Sequence, residues 1–129
     1  MSDKIECFQN LPGTPKAVGP YSPAVRAGET YFLSGQVGLD PQSGTLVGPN
    51  VTSQTQQVLA NVKAVLSGVG LSLSNVVKST VFLTDMGNFQ TVNSLYATAF
   101  GDHKPARSTV QVSALPLGAL IEIEVIAVA

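Results

Sequence analysis

One segment near the end of the chain constrains the fold more than any other. Residues 120–128 read LIEIEVIAV, rich in branched side chains that suit a pleated backbone. Successive side chains of a strand point to opposite faces. Ile121, Ile123, Val125 and Ala127 therefore share one face, and Glu122, Glu124, Ile126 and Val128 the other. The first face is wholly apolar and the second half so. Such a strand needs cover on both sides of its sheet.

The rest of the chain supplies cover for one side only. Residues 24–27 and 30–34 flank Gly28-Glu29 and read as a hairpin, followed by a loop over 38–52 with turn signals at Asp40-Pro41 and Ser43-Gly44. From Ser53 the period changes. Val58, Leu59, Val62, Val65, Leu66 and Val69 fall on one face of a helix, with Thr52 or Ser53 to cap it and Gly68 or Gly70 to end it. Residues 76–84 (VVKSTVFLT) read as a strand. Phe89, Val92, Leu95, Tyr96, Ala99 and Phe100 mark a second amphipathic helix, with Asp85 or Asn88 near its cap and GDHKP at its end. Strands over 108–113 and 120–128, joined by a turn at 116–118, close the chain. The order predicts an α/β (α+β) fold in which two helices cover one face of a mixed sheet. The 129 residues fit one domain over 1–129, with 1–13 as a flexible lead-in and the proline-rich 9–23 irregular but tied down.

Two helices leave the other sheet face bare. Only 12% of the residues are charged, about half the usual ~25%. An apolar face in so charge-poor a chain predicts oligomerisation through it. A net charge of -1, with lysines scattered at 4, 16, 63, 78 and 104, argues against binding nucleic acid. Cys7 is the only cysteine and His103 the only histidine, too few for a disulfide or a conventional zinc site within one chain. No apolar run reaches the ~18 residues of a membrane span. The N-terminus MSDKIECFQNLPGTPK reads as neither signal nor transit peptide, so the expected location is cytoplasmic, or mitochondrial if a presequence has been removed.

Few polar groups remain to carry chemistry. Arg26 lies beside the Gly28 turn and reads as a solvated hairpin residue. Arg107 opens the strand RSTVQV. There it is either an exposed residue paired with Glu122 or Glu124, or a bidentate anchor for a small carboxylate, which guanidinium geometry suits. Glu122 and Glu124 interrupt an apolar strand. They either face solvent or a subunit partner, or one sits in a desolvated pocket where a carboxyl can move a proton or orient water. Tyr21 and Ser34 bring a phenol and a hydroxyl near the sheet edge, and Gly35 lets backbone amides approach a ligand. Cys7 falls in the lead-in and His103 in a polar loop, which fits neither nucleophilic catalysis nor a triad. No phosphate loop, dinucleotide fingerprint or metal-ligand spacing is present.

The motifs GPYSPAV, YFLSGQVGLDPQSGTLV, QTQQVLANVKAVL, VVKSTVFLTDMGNFQTVNSLYATAF and PARSTVQVSALPLGALIEIEVIAV resemble, in order and spacing, the Rid family of YjgF-like reactive intermediate deaminases. The resemblance spans roughly residues 14–128. It implies a chorismate-mutase-like fold and a homotrimer with a site in each cleft between subunits. It further implies cofactor-free hydrolysis of 2-imino and enamine acids, such as 2-aminoacrylate and 2-aminocrotonate, to 2-keto acids and ammonia. Such species escape from pyridoxal-phosphate dehydratases acting on serine and threonine, so their removal protects pyridoxal-phosphate enzymes and amino-acid metabolism. Carried over by motif, Arg107 binds the substrate carboxylate and Glu122 positions water or shuttles protons. Tyr21, Ser34 and Gly35 line the pocket, and Asn93 contributes from the second helix of a neighbouring subunit. Thr109 stands in the substrate site where many members carry cysteine, which removes any thiol role, and Pro23 stands where glutamine is frequent. Two other readings remain: a non-catalytic module that binds 2-keto acids in the same pocket, and an endoribonuclease or translation inhibitor, an activity attached to some relatives, which the charge disfavours.

Overall fold

A computed structural model describes residues 4–129. Six strands form one sheet: β1 (Ile5–Phe8), β2 (Ala24–Ala27), β3 (Thr30–Val37), β4 (Val76–Leu83), β5 (Ala106–Gln111) and β6 (Ile121–Val128). Their spatial order is β1-β2-β3-β6-β4-β5. Only β4 and β5 run parallel; the other pairs are antiparallel. The helices α1 (Val51–Gly68) and α2 (Phe89–Phe100) lie on one face, as the sequence order predicts. Strand β6 is central, between β3 and β4. Its Ile121, Ile123, Val125 and Ala127 are buried beneath the helices, while Glu122, Glu124, Ile126 and Val128 face the other way.

The register extends this division across the sheet, because directly paired residues share a face. The core joins Leu33, Val81, Leu83 and the inward residues of β6 to Val58, Leu59, Val62, Val65 and Leu66 of α1, and to Val92, Tyr96 and Phe100 of α2. The opposite face displays Phe32, Val110 and Val128, 47%, 42% and 38% exposed. Phe32 pairs with Ile126, and Val110 with Phe82, which pairs with Glu122. This is the bare face that the alternation in residues 120–128 implies. Among the described residues, no helix is long and apolar enough to cross a membrane.

Several local expectations change. Residues 5–8 are not a flexible lead-in: Ile5↔Ala27 through Phe8↔Ala24 add an edge strand, with Phe8 stacked on Tyr31. Residues 1–3 lie outside the described part. Asn50 caps α1 rather than Thr52 or Ser53, accepting from the Ser53 amide at 2.8 Å. The helix ends at Gly68 with Val69 as its C-cap, and Gly70 just beyond, at φ +82°, permits paired bonds from the Gly70 amide to Ser67 O and the Leu71 amide to Leu66 O. Asp85 caps a short 3-10 turn, Met86–Asn88, that leads into α2. His103 is not a solvated loop residue, because its Nε2 lies 2.6 Å from the Val76 carbonyl oxygen and pins the loop after α2 to the start of β4.

Polar side chains on the inner face of α1 fix the loop that follows β3. Asn61, 1% exposed, donates to the carbonyls of Val37 and Leu39. Buried Gln54 donates to Gly48 O and accepts from the Leu120 amide. Both satisfy buried or partly buried backbone groups, and they hold the end of β3 beside the start of β6.

Candidate active site

Arg107 lies within β5 rather than opening it. Its pairing runs to Ser79 on β4 and from there to Val125 on β6, both buried on the helix-covered side. The guanidinium therefore folds toward α2, 4.8 Å from the ring centroid of Tyr96 and 5.8 Å from that of Phe89. Such stacking over aromatic faces is favourable and leaves the planar fork of donors available to an anion. Tyr96 is itself held by a 2.6 Å hydrogen bond between its hydroxyl and Ser79 Oγ and by stacking on Phe100. Arg107, Tyr96, Phe100, Asn93, His103 and Lys104 line a cleft of about 420 Å³. Thr109, two residues on, shares the face through its pairing with Val81.

Glu122 occupies the other side of the sheet. Between Leu33 and Gln36 the β3–β6 register shifts by one residue, so Ser34 and Gly35 form a bulge of the kind that re-aims side chains beside active sites. The Glu122 carboxylate lies across Gly35, and a Cβ there would stand 2.7 Å from its Cδ and collide with an oxygen. Gly35 therefore permits this placement of the carboxylate, which any larger residue would displace. Ser34 donates its hydroxyl to the Ser22 carbonyl at 2.6 Å, which leaves its oxygen free to act as an acceptor. Tyr21, Ser34, Gly35, Glu122 and Glu124, with Val18, Pro116 and Leu117, line a cavity of about 400 Å³.

Burial, and then the neighbouring charge of Glu124, raise the Glu122 carboxyl above its ordinary pKa. A raised carboxyl favours the folded state fully below the unfolded-state value, and that contribution is lost as pH rises through the folded one. Glu122→Gln, which carries no charge to desolvate, is expected to melt above the wild type at pH 7. The gap should close as pH falls below about 4.5. Melting curves from pH 4 to 8 check this; equal Tm values throughout would contradict it.

The residues nominated from sequence thus fall into two groups. Tyr21, Ser34, Gly35 and Glu122 meet in one cavity; Arg107 and Asn93 meet in another, with Thr109 on the same face. One chain cannot bring Arg107 to Glu122, because they project from opposite faces of the sheet. The ion-pair reading of Arg107 fails for the same reason. Arg26 pairs instead with Glu6 at 3.3 Å. Among the described residues, no three His, Cys, Asp or Glu side chains gather to hold a metal.

Phe89 and Tyr96 as a seat for Arg107, and Val18, Pro116 and Leu117 around Glu122, are additions from the structure. In sequence, Phe89 and Tyr96 read only as apolar positions of a helix. Nothing local announces which strand their exposed edges meet.

This combination sits on a known fold. A family model described as Endoribonuclease L-PSP matches residues 12–129. A crystal structure from Yersinia pestis, titled as YyfA of the conserved Rid protein family and of unknown function, superposes with a TM-score of 0.93 at 44% identity, covering 97% of this chain and 99% of that one. The chain belongs to the Rid family. A second family member from Mus musculus, named 2-iminobutanoate/2-iminopropanoate deaminase, is 51% identical over 128 residues, 99% of this chain and 95% of that protein. The Rid fold also recurs in E. coli TdcF, solved with bound serine, at a TM-score of 0.89 and 39% identity, covering 96% and 98%.

Proposed function

We propose that this protein hydrolyses reactive 2-imino and enamine acids to 2-keto acids and ammonia, in clefts that adjacent subunits of a homotrimer complete. The observation that carries the reading is Glu122, a carboxyl with raised proton affinity laid over a glycine bulge in a half-closed cavity. The murine relative's name supports the same chemistry, and no cofactor is invoked.

The protonated imine carbon is already electrophilic, so orientation and proton management suffice. The Arg107 fork holds the substrate carboxylate in two parallel hydrogen bonds. Glu122 takes a proton from water as its oxygen bonds to C2, giving a carbinolamine. Returning that proton to the amino nitrogen makes ammonia the leaving group. The C–N bond then breaks as the new hydroxyl gives its proton to Glu122, which passes it to the departing ammonia as ammonium, and one water has been consumed for one ammonia released. For an enamine, protonated Glu122 first donates to C3, a step that its raised proton affinity assists. Ser34 Oγ, its own proton committed to Ser22, accepts from the water or the imine N–H. Tyr21 offers its hydroxyl at the rim.

The homotrimer meets two needs at once. It covers the apolar face bearing Phe32, Val110 and Val128, and it carries the Arg107 cleft of one subunit to the Glu122 cavity of the next. The test is 2-keto acid formation from imines generated in situ by an amino-acid oxidase, with sedimentation of the same sample. Acceleration over spontaneous hydrolysis by a species of three 13.4 kDa chains is expected. Saturable 2-keto acid binding without turnover would mark a binding module instead.

A further inference from the structure

We propose that Leu117 selects the substrate's side chain, its left-handed backbone presenting an isobutyl group with Val18 and Pro116 as an apolar rim over the Glu122 cavity. The inference rests on the imine-deaminase reading and adds to it a specificity-determining residue.

Among the described non-glycine residues only Asn10 and Leu117 have positive φ. Asparagine tolerates that region, whereas leucine is disfavoured there by its Cβ. At φ 61° and ψ 19°, Leu117 sits squarely in it, and Gly118 follows at φ 74°. The conformation is imposed from both sides. Pro116 opens the 3-10 turn, the Ala119 amide bonds the Pro116 carbonyl at 3.1 Å, and Ala119 is buried. Leu117 gains nothing from the core in exchange, being 61% exposed. An unfavourable backbone held by its surroundings, with its side chain at a cavity mouth, marks a functional position.

The neighbours say what it would touch. Val18, 76% exposed, comes from the proline-rich segment before β2 and lines the same cavity, whose acidic residues are Glu122 and Glu124. Two loops far apart in sequence therefore place aliphatic groups around one carboxyl. With C2 at Glu122 and the carboxylate directed toward a partner's cleft, the remaining substituent on C2 projects to this rim. The rim offers an aliphatic substituent apolar contact, while Glu122 and Glu124 repel an anionic one. Among imines, those with aliphatic side chains are thus preferred over those with anionic ones.

The experiment compares wild type with Leu117→Asn, which suits the left-handed backbone, and Leu117→Gly, on imines made in situ from alanine and from leucine. Discrimination by apolar contact is worth about tenfold or more per methylene. Leu117→Asn should lower kcat/KM for the leucine-derived imine at least about tenfold, through KM, and leave the alanine-derived imine within about twofold. Leu117→Gly should shift selectivity the same way with no loss of Tm. An unchanged leucine-to-alanine ratio in both variants would overturn the proposal. So would a parallel fall on both substrates with dissociation in sedimentation, which would make Leu117 an interface contact. A wild type that turns over neither imine would sink the deaminase reading itself, an outcome distinct from lost selectivity.

Discussion

Arg107→Ala is expected to abolish imine turnover while leaving the fold and the assembly intact. The guanidinium is exposed and lies on the faces of Tyr96 and Phe89, so its removal opens no cavity in the core. What disappears is the proposed bidentate partner of the substrate carboxylate. Truncating one member of a hydrogen-bonded charge pair in a closed site costs about 2–5 kcal/mol, a fall in kcat/KM of roughly 30- to 5,000-fold. Arg107→Lys keeps the charge and loses the planar fork, so it should fall between the two, mainly through KM. Keto acid release from in situ imines, with melting and sedimentation run in parallel, checks both variants. Full turnover by Arg107→Ala would remove the arginine from the mechanism.

Glu122→Gln should do its damage in kcat. The amide keeps the shape over Gly35 but cannot take a proton from water or return it to nitrogen. Loss of a positioned general acid–base costs about 10²- to 10⁴-fold, with KM little changed because the carboxylate anchor stands elsewhere. Gly35→Ala supplies an independent handle on the same group. The added methyl would strike the Glu122 carboxylate, forcing it to another rotamer. It should reproduce much of the kcat loss with Glu122 still present. A Gly35→Ala variant of normal kcat would show that the observed carboxylate position is not the working one.

The parts of the fold legible in sequence are those where one period persists. The alternation in residues 120–128 announced a central strand with one bare face, and the i, i+3, i+4 spacings announced both helices. Glu122, as an acid interrupting an apolar strand, stood out on the same grounds. What stayed hidden depended on pairing between distant segments. The Ser34–Gly35 bulge is invisible in LSGQ, because it exists only against β6. The Ile5–Phe8 strand looked like a mobile end because four residues hold too little pattern to outweigh the prolines that follow. Arg107 could be singled out as an anchor or an ion-pair partner. Only the register through Ser79 and Val125 shows that it turns away from Glu122 onto Tyr96.

That opposition of faces supports the central claim, that each site is built from two subunits. Arg107→Ala and Glu122→Gln, each inactive alone, should complement each other when denatured together and refolded as mixed trimers. In every mixed trimer one cleft receives an intact arginine from one subunit and an intact glutamate from its neighbour. An equal mixture should recover about one quarter of wild-type activity under random assembly in a closed ring. Recovery near that level is the predicted result. A mixture as inactive as its two parents, with trimers confirmed by sedimentation, would place both residues in the site of a single subunit and contradict the account.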